Sequence, residues 1–208
     1  DDRFQSDLAA FVDTVREPGR INSLSQSLVK MTSPGVPDIY QGNELWDLSL
    51  VDPDNRRPVA FDVRRALLEE IRSMKVDDAF DPGVILGRAD EGLPKLWVLL
   101  RTLAVRRAHP EAFGAAGGYQ AVHADGRFAR HVVAFLRGAE VLPIAQRWSV
   151  RRGADWADTT IDLPDGAWAD ALTGGRHTGP GVRVADVLAG FPVALLVRQR
   201  DGRRGETP

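Results

Sequence analysis

The sequence contains no cysteine, which excludes disulfides, thiolate metal sites and a cysteine nucleophile. Histidine occurs only four times, at scattered positions, so we expect neither a metal site nor a catalytic histidine. No apolar run reaches the roughly 18 residues that a membrane-spanning helix needs. No basic segment followed by an apolar stretch opens the chain. We therefore predict no signal peptide and a cytoplasmic protein.

Lysine is also scarce, because only Lys30, Lys75 and Lys95 accompany the arginines. The 27 basic and 29 acidic side chains leave a net charge of -2, which argues against nucleic-acid binding. The chain has 208 residues, of which 43% are hydrophobic. This length and composition suit one large or two small globular domains with a substantial core.

Up to about residue 114 the apolar spacing is mainly helical. The pattern predicts helices over 4–15, 21–31, 62–75 and 95–108, with Pro18-Gly19 ending the first of them. The apolar run Val36–Tyr40 is too short for a helix and predicts a buried strand. One strand cannot satisfy its own backbone groups, so we expect residues 1–114 to belong to a domain that further chain completes.

After Gly114 short apolar runs alternate with turn residues. The runs predict strands over 119–123, 131–136, 140–146, 159–163, 167–172, 182–188 and 192–198. Asp125-Gly126 predicts a hairpin turn. This spacing is typical of an antiparallel sandwich, here over residues 115–199. The polar residues 200–208 predict a disordered tail.

The most informative segment is residues 32–59, which is polar and follows the predicted strand. Carboxylates and arginines can hydrogen-bond sugar hydroxyls, and aromatic faces can stack on sugar rings. In parallel α/β folds such side chains form binding sites at the carboxyl ends of strands. The same acids could equally pair with Arg56 and Arg57 and only shape a loop. The residues alone leave both interpretations open.

Residues 34–44 (PGVPDIYQGNE) resemble the eighth-strand segment of the α-amylase superfamily. Residues 45–59 (LWDLSLVDPDNRRPV) resemble more narrowly the maltooligosyltrehalose synthase family within it. The stretch 96–110 is similar to the last barrel helix of that family. The stretches 156–174 and 191–196 are similar to its C-terminal β domain. The resemblance therefore covers nearly the whole chain.

The resemblance implies an α/β plus all-β protein. Residues 1–114 would be the C-terminal end of a (β/α)8 barrel, with its last strand and flanking helices, and an antiparallel β-sandwich domain would follow. The family converts the reducing-end α-1,4 linkage of malto-oligosaccharides to an α,α-1,1 linkage by intramolecular transglucosylation, without a cofactor. The implied partners are therefore the malto-oligosaccharide and the N-terminal barrel portion.

The three catalytic carboxylates of the superfamily lie on strands four, five and seven, which would precede Asp1. We therefore assign no catalytic residue here and expect the chain alone to be inactive. The resemblance implies substrate-binding or loop-shaping roles for residues of the strand-eight segment. These are Tyr40, Gln41, Glu44, Trp46, Asp52, Asp54 and Arg56.

Two alternatives to this function stay open. The chain could belong to another hydrolase or transferase of the α-amylase superfamily. Residues 115–208 could instead form a carbohydrate-binding or support module without catalysis. Trp148, Trp156 and Trp168 would then form an exposed platform for starch, whereas we expect them to be core and loop anchors.

Overall fold

The computed structural model describes residues 1–49, 56–152 and 155–199. Its longer helices are α1 (Asp2–Thr32), α2 (Phe61–Arg72) and α4 (Leu93–Ala108). Four-residue helices are α3 (Gly83–Leu86), α5 (Pro110–Phe113), α6 (Ser149–Arg152) and α7 (Val184–Val187). Two 3₁₀ turns lie at Ala89–Glu91 and Ala129–His131. No helix in these ranges is long and apolar enough to cross a membrane.

All strands of the described residues lie in the second half of the chain and pair antiparallel. They are β1 (Gln120–Ala121), β2 (Ala124–Asp125), β3 (Val132–Leu136), β4 (Val141–Gln146), β5 (Thr160–Ile161), β6 (Ala167–Asp170), β7 (Arg176–Thr178), β8 (Val182–Arg183) and β9 (Ala194–Arg198). Six of them form a sheet in the order β1-β3-β4-β9-β6-β7, and three form a smaller sheet in the order β2-β5-β8. The predicted antiparallel β region is therefore confirmed.

The larger sheet buries both of its faces at its central strands β4 and β9. Val141, Ala145 and Leu195 belong to a core shared with Leu28 and Trp97 of the helices. The alternate residues of β4 and β9 belong to a second core, on the side of the smaller sheet (Leu142, Ile144, Ala194 and Leu196). Successive strand residues point to opposite faces, so burial on both faces accounts for the unbroken apolar run in β4.

The predicted break at Pro18-Gly19 is wrong, because α1 continues through both residues. Proline lacks the N–H that would bond the Thr14 carbonyl, but the bonds on either side continue the helix. The C-terminal half of α1 is anchored by the buried Leu24, Leu28 and Met31. That packing outweighs a local breaking signal.

The predicted strand Val36–Tyr40 is also absent, since this segment has no regular secondary structure. Val36 is 96% exposed. A strand exists only when a neighbouring strand accepts and donates its hydrogen bonds. Within the described ranges no strand lies beside this segment to do so.

Three smaller predictions in the β region need correction. Asp125 is not a turn residue but the second residue of β2, which pairs with Thr160. The predicted strand 182–188 keeps only two strand residues and then turns into α7. No strand was predicted between residues 172 and 182, where glycines indicate turns, but strand β7 (Arg176–Thr178) lies there. Strands of two or three residues are too short for alternation to reveal them.

Candidate functional site

The candidate site is built on the turn that follows Tyr40. The Asn43 N–H donates to the Tyr40 carbonyl at 3.0 Å, and Gly42 between them has a φ of +92°. Glycine alone adopts this conformation without strain. A side chain at this position would also contact Val59 at 3.3 Å. The turn is therefore closed against the segment that leads into α2.

Glu44 and Arg64 hold this turn together. A carboxylate oxygen of Glu44 accepts from the Gly42 N–H at 3.0 Å and from Arg64 Nε at 2.9 Å. A terminal nitrogen of Arg64 also donates to the Gly42 carbonyl at 2.6 Å. The sequence left open a pairing of the loop acids with Arg56 and Arg57, and for Glu44 the partner is instead Arg64. The partner lies on the first turn of α2, which local spacing does not reveal.

Trp46 and its neighbour Leu45 anchor the other end of the turn. The Trp46 indole N–H donates to the Ala89 carbonyl at 2.5 Å, and Leu45 is buried. The Lys95 ammonium donates to the Leu45 carbonyl at 3.0 Å. Gly92 has a φ of +80°, and a Cβ there would lie 3.0 Å from Leu45. The hydrogen bond to Ala89 thus fixes the nitrogen edge of the indole, while the ring as a whole is only half-buried.

A cavity of about 290 Å³ opens beside this turn, and we call it the loop cavity. Its polar side chains come from the turn and the residues just after it, from the segment that leads into α2, and from the first turn of α2. They are Gln41, Trp46, Asp47, Ser49, Arg57 and Arg64. Amide, carboxylate and guanidinium groups around an indole are a suitable set for hydrogen-bonding a polyol and stacking on a sugar ring.

The sequence-predicted residues divide into three groups. Gln41 and Trp46 line the loop cavity, and Glu44 supports it through Arg64. Tyr40 is 53% exposed, Arg56 is also exposed, and neither lines the loop cavity. Asp52 and Asp54 lie outside the described residues. Sequence reasoning missed Arg64, and it noted Asp47 and Arg57 without assigning them to the site.

The electrostatics of the loop cavity favour binding over acid–base chemistry. Hydrogen bonds from Ser49 lower the pKa of Asp47, so this carboxylate stays ionised. Glu44 is engaged by a guanidinium and a backbone N–H. A retaining glycosidase needs a protonated carboxyl about 5–5.5 Å from a second, nucleophilic carboxylate. The lowered pKa of Asp47 does not suit that protonated role.

The tryptophans of the β region do not form a common platform. Trp168 and Trp156 are buried, and only Trp148 is substantially exposed. Arg147 lies over the Trp148 ring at 4.2 Å from its centre. Trp97 is buried in the core shared by the helices and the sheet. These positions support the interpretation of Trp156 and Trp168 as core residues.

Comparison with known proteins identifies the relatives of this chain. No family model matches it. Two proteins of Mycobacterium tuberculosis, from strains CDC 1551 and H37Rv, are provisionally named maltooligosyl trehalose synthase and are 42% identical to it over 194 residues. The chain is homologous to the maltooligosyl trehalose synthases. The match covers 93% of the chain and 22% of either relative.

Solved structures agree with this assignment. The maltooligosyltrehalose synthase of Arthrobacter ramosus matches 92% of the chain with a TM-score of 0.79 and 38% identity. Another maltooligosyl trehalose synthase structure matches 96% with a TM-score of 0.74 and 27% identity. The chain spans about a quarter of the length of these synthases or less. The predicted resemblance is therefore confirmed, and the match is consistent with a C-terminal part.

Proposed function

We propose that the chain is the C-terminal part of an isomerase of trehalose biosynthesis. The enzyme converts the reducing-end α-1,4 linkage of a malto-oligosaccharide to an α,α-1,1 linkage by intramolecular transglucosylation. The observation that carries the proposal is the 42% identity to the named synthases over 93% of the chain. Two chains that are this similar over nearly their whole matched length share a fold, and such a match supports the same type of parent enzyme.

The chemistry divides between this chain and the portion that precedes it. In a retaining mechanism a carboxylate forms a covalent glycosyl-enzyme, and an acceptor hydroxyl then resolves it. Here the acceptor is the anomeric hydroxyl of the released glucose, which must be held against competition from water. The preceding portion supplies the catalytic carboxylates. This chain supplies sugar contacts at the rim, from Gln41, Trp46 and Arg57 of the loop cavity.

An exposed apolar stripe on α1 supports a barrel that further chain completes. Phe4 and Phe11 are 65% and 62% exposed. Leu8, Val12 and Val15 lie on the same side of the helix, at three- and four-residue spacing, and are also exposed. A contiguous apolar stripe of this kind marks a surface that another element covers. The N-terminal barrel portion is the occupant that fits a chain of this family.

The test is a chimera that joins the preceding portion of the Mycobacterium tuberculosis relative to this chain. We expect the chimera to remove reducing ends from maltopentaose and to form an α,α-1,1 linkage detectable by NMR. The chain alone should do neither. A gain of reducing ends would instead identify a hydrolase of the superfamily. A folded chimera without any activity on malto-oligosaccharides would overturn the proposal.

The same chimera tests the loop cavity. Gln41→Ala should raise KM for maltopentaose about tenfold, because an amide that bonds a sugar hydroxyl contributes about 1–1.5 kcal/mol. Gln120→Ala is the matched control, since Gln120 is an exposed glutamine of β1 outside the cavity. Equal KM values for the two variants would remove Gln41 from the binding site.

A further inference from the structure

A second polar cavity, of about 350 Å³, lies beside α1, and we call it the lysine cavity. Four of its side chains come from one face of α1, at positions i, i+3, i+4 and i+7. They are Ser23, Gln26, Ser27 and Lys30, and Asn43 and Lys95 complete the polar wall. The loop cavity shares none of these residues. The lysine cavity thus brings together two of the only three lysines in the chain.

Neither lysine has an acidic partner among the residues that the structure describes. Lys95 is only 8% exposed, and its ammonium donates one hydrogen bond, to the Leu45 carbonyl. The charges of Asp47 and Glu44 favour the charged form of Lys95, but neither carboxylate forms an ion pair with it, and their hydrogen bonds come from the Ser49 N–H and from Arg64. Of the residues that line the lysine cavity, none is acidic. A buried ammonium that keeps two unused donors is costly unless something compensates it.

The two ammonium groups also act on each other. Burial lowers the pKa of Lys95, and the charge of Lys30 lowers it further. An anion bound between the two ammonium groups would offset their mutual repulsion and stabilise the charged form of both. Lysine ammonium groups with several free donors are common phosphate ligands.

The remaining wall indicates what the anion is attached to. Ser23, Ser27, Gln26 and Asn43 offer hydroxyl and amide groups, and none of their side chains has a partner among the described residues. The volume lies in the range of small-molecule sites and exceeds the need of a single inorganic anion. Hydroxyl and amide groups beside two cations suit a ligand with both hydroxyls and a phosphate.

We propose that the lysine cavity binds a phosphorylated sugar, with the phosphate between Lys30 and Lys95 and the sugar hydroxyls on Ser23, Gln26 and Asn43. The proposal does not depend on the proposed catalytic function. Its ligand differs in charge from the neutral malto-oligosaccharide, so the two sites are distinguishable. The shared chemistry is a phosphate dianion, which could be free or carried by a hexose.

The three lysines make the test direct. Incorporation of [¹³C,¹⁵N]-lysine yields one side-chain NMR signal for each, and the exposed Lys75 is an internal control. Titration with glucose 6-phosphate should shift the Lys30 and Lys95 signals saturably and raise the pKa of Lys95. Lys75 should not move. Maltose, which is neutral, should leave all three signals in place.

Substitutions of single lysines test whether the NMR shifts arise from binding in the lysine cavity. Lys30→Gln should weaken binding at least tenfold, because it removes one charge-assisted contact. Lys75→Gln should bind as the parent does, and circular dichroism checks that both variants fold. An equal response to inorganic phosphate would retain the anion site and assign free phosphate as its ligand. Parallel shifts of all three lysines, or unchanged affinity in Lys30→Gln, would overturn the proposal.

Discussion

Arg137 donates a hydrogen bond from its terminal nitrogen to the carbonyl of Thr32, at 3.0 Å and across 105 residues of sequence. The carbonyl belongs to the last turn of α1, where carbonyls have no helical partner. Arg106 bonds the adjacent Met31 carbonyl at 2.8 Å. Both guanidinium groups lie over the ring of Phe113. Two arginines from different regions thus close the same helix end.

Arg137→Leu should therefore destabilise the protein by about 2–4 kcal/mol, because it leaves a buried carbonyl unsatisfied and removes the contact with Phe113. Urea unfolding monitored by circular dichroism measures the change. Arg107→Leu is the matched control, since Arg107 is exposed on α4. It should change the free energy of unfolding by less than about 0.5 kcal/mol. Similar losses in both variants would show that the Thr32 bond does not matter.

Asp170 is buried in the β region, and its two carboxylate oxygens accept hydrogen bonds from different donors. One oxygen accepts from the N–H groups of Leu172 and Leu195, each at 3.0 Å. The other accepts from the Thr173 hydroxyl at 2.8 Å. An asparagine can reproduce this pattern, with its amide donating to the hydroxyl oxygen. We expect Asp170→Ala to cost about 2–4 kcal/mol in urea unfolding, and Asp170→Asn much less.

The same residue predicts a pH dependence. Burial raises the pKa of Asp170, so the folded state binds its proton more tightly than the unfolded chain does. The stability that this group contributes is complete below the unfolded pKa of about 4 and is lost as pH rises through the folded pKa. In Asp170→Asn this position does not titrate, so it causes no loss of stability as pH rises. Its stability relative to the parent should thus improve between pH 4 and pH 7 in urea unfolding, and a decline would contradict the raised pKa.

Glu44 and Arg64 should show energetic coupling. Their side chains are 30% and 17% exposed, which places the pair between a surface ion pair and a buried one. A double-mutant cycle with Glu44→Ala and Arg64→Ala should yield a coupling of about 1 kcal/mol in the free energy of unfolding. The pair Arg72 and Glu69, exposed on α2, is the control and should couple by about 0.5 kcal/mol or less. Additive losses at Glu44 and Arg64 would contradict their role in holding the turn.

The apolar stripe of α1 should matter for association but not for stability of the isolated chain. Phe11→Ser should change the free energy of unfolding by less than about 0.5 kcal/mol, since Phe11 is exposed. It should reduce self-association in analytical ultracentrifugation. Leu28→Ala, on the buried face of the same helix, should instead cost about 2–5 kcal/mol. A large loss of stability in Phe11→Ser would show that the stripe is already covered.

Much of the fold follows from local pattern alone. Helix α4 is apolar at helical spacing, and the longer strands β3, β4 and β9 are apolar runs between turn residues, so local spacing is enough to find them. The family resemblance was likewise readable from residues 34–59. Of the site, Gln41 and Trp46 were predicted to bind sugar and do line a cavity, although binding itself stays a prediction.

Other features were decided only by tertiary structure, because they depend on residues far apart in sequence. Pro18 lies within a helix because packing further along α1 outweighs a local cost, and Val36–Tyr40 forms no strand because no neighbouring strand lies beside it. The partner of Glu44 lies 20 residues away, and Lys30 meets Lys95 only through the packing of α1 against α4. Local spacing therefore determined most of the longer helices and strands, while long-range packing determined which side chains meet and overruled local signals at Pro18 and at Val36–Tyr40.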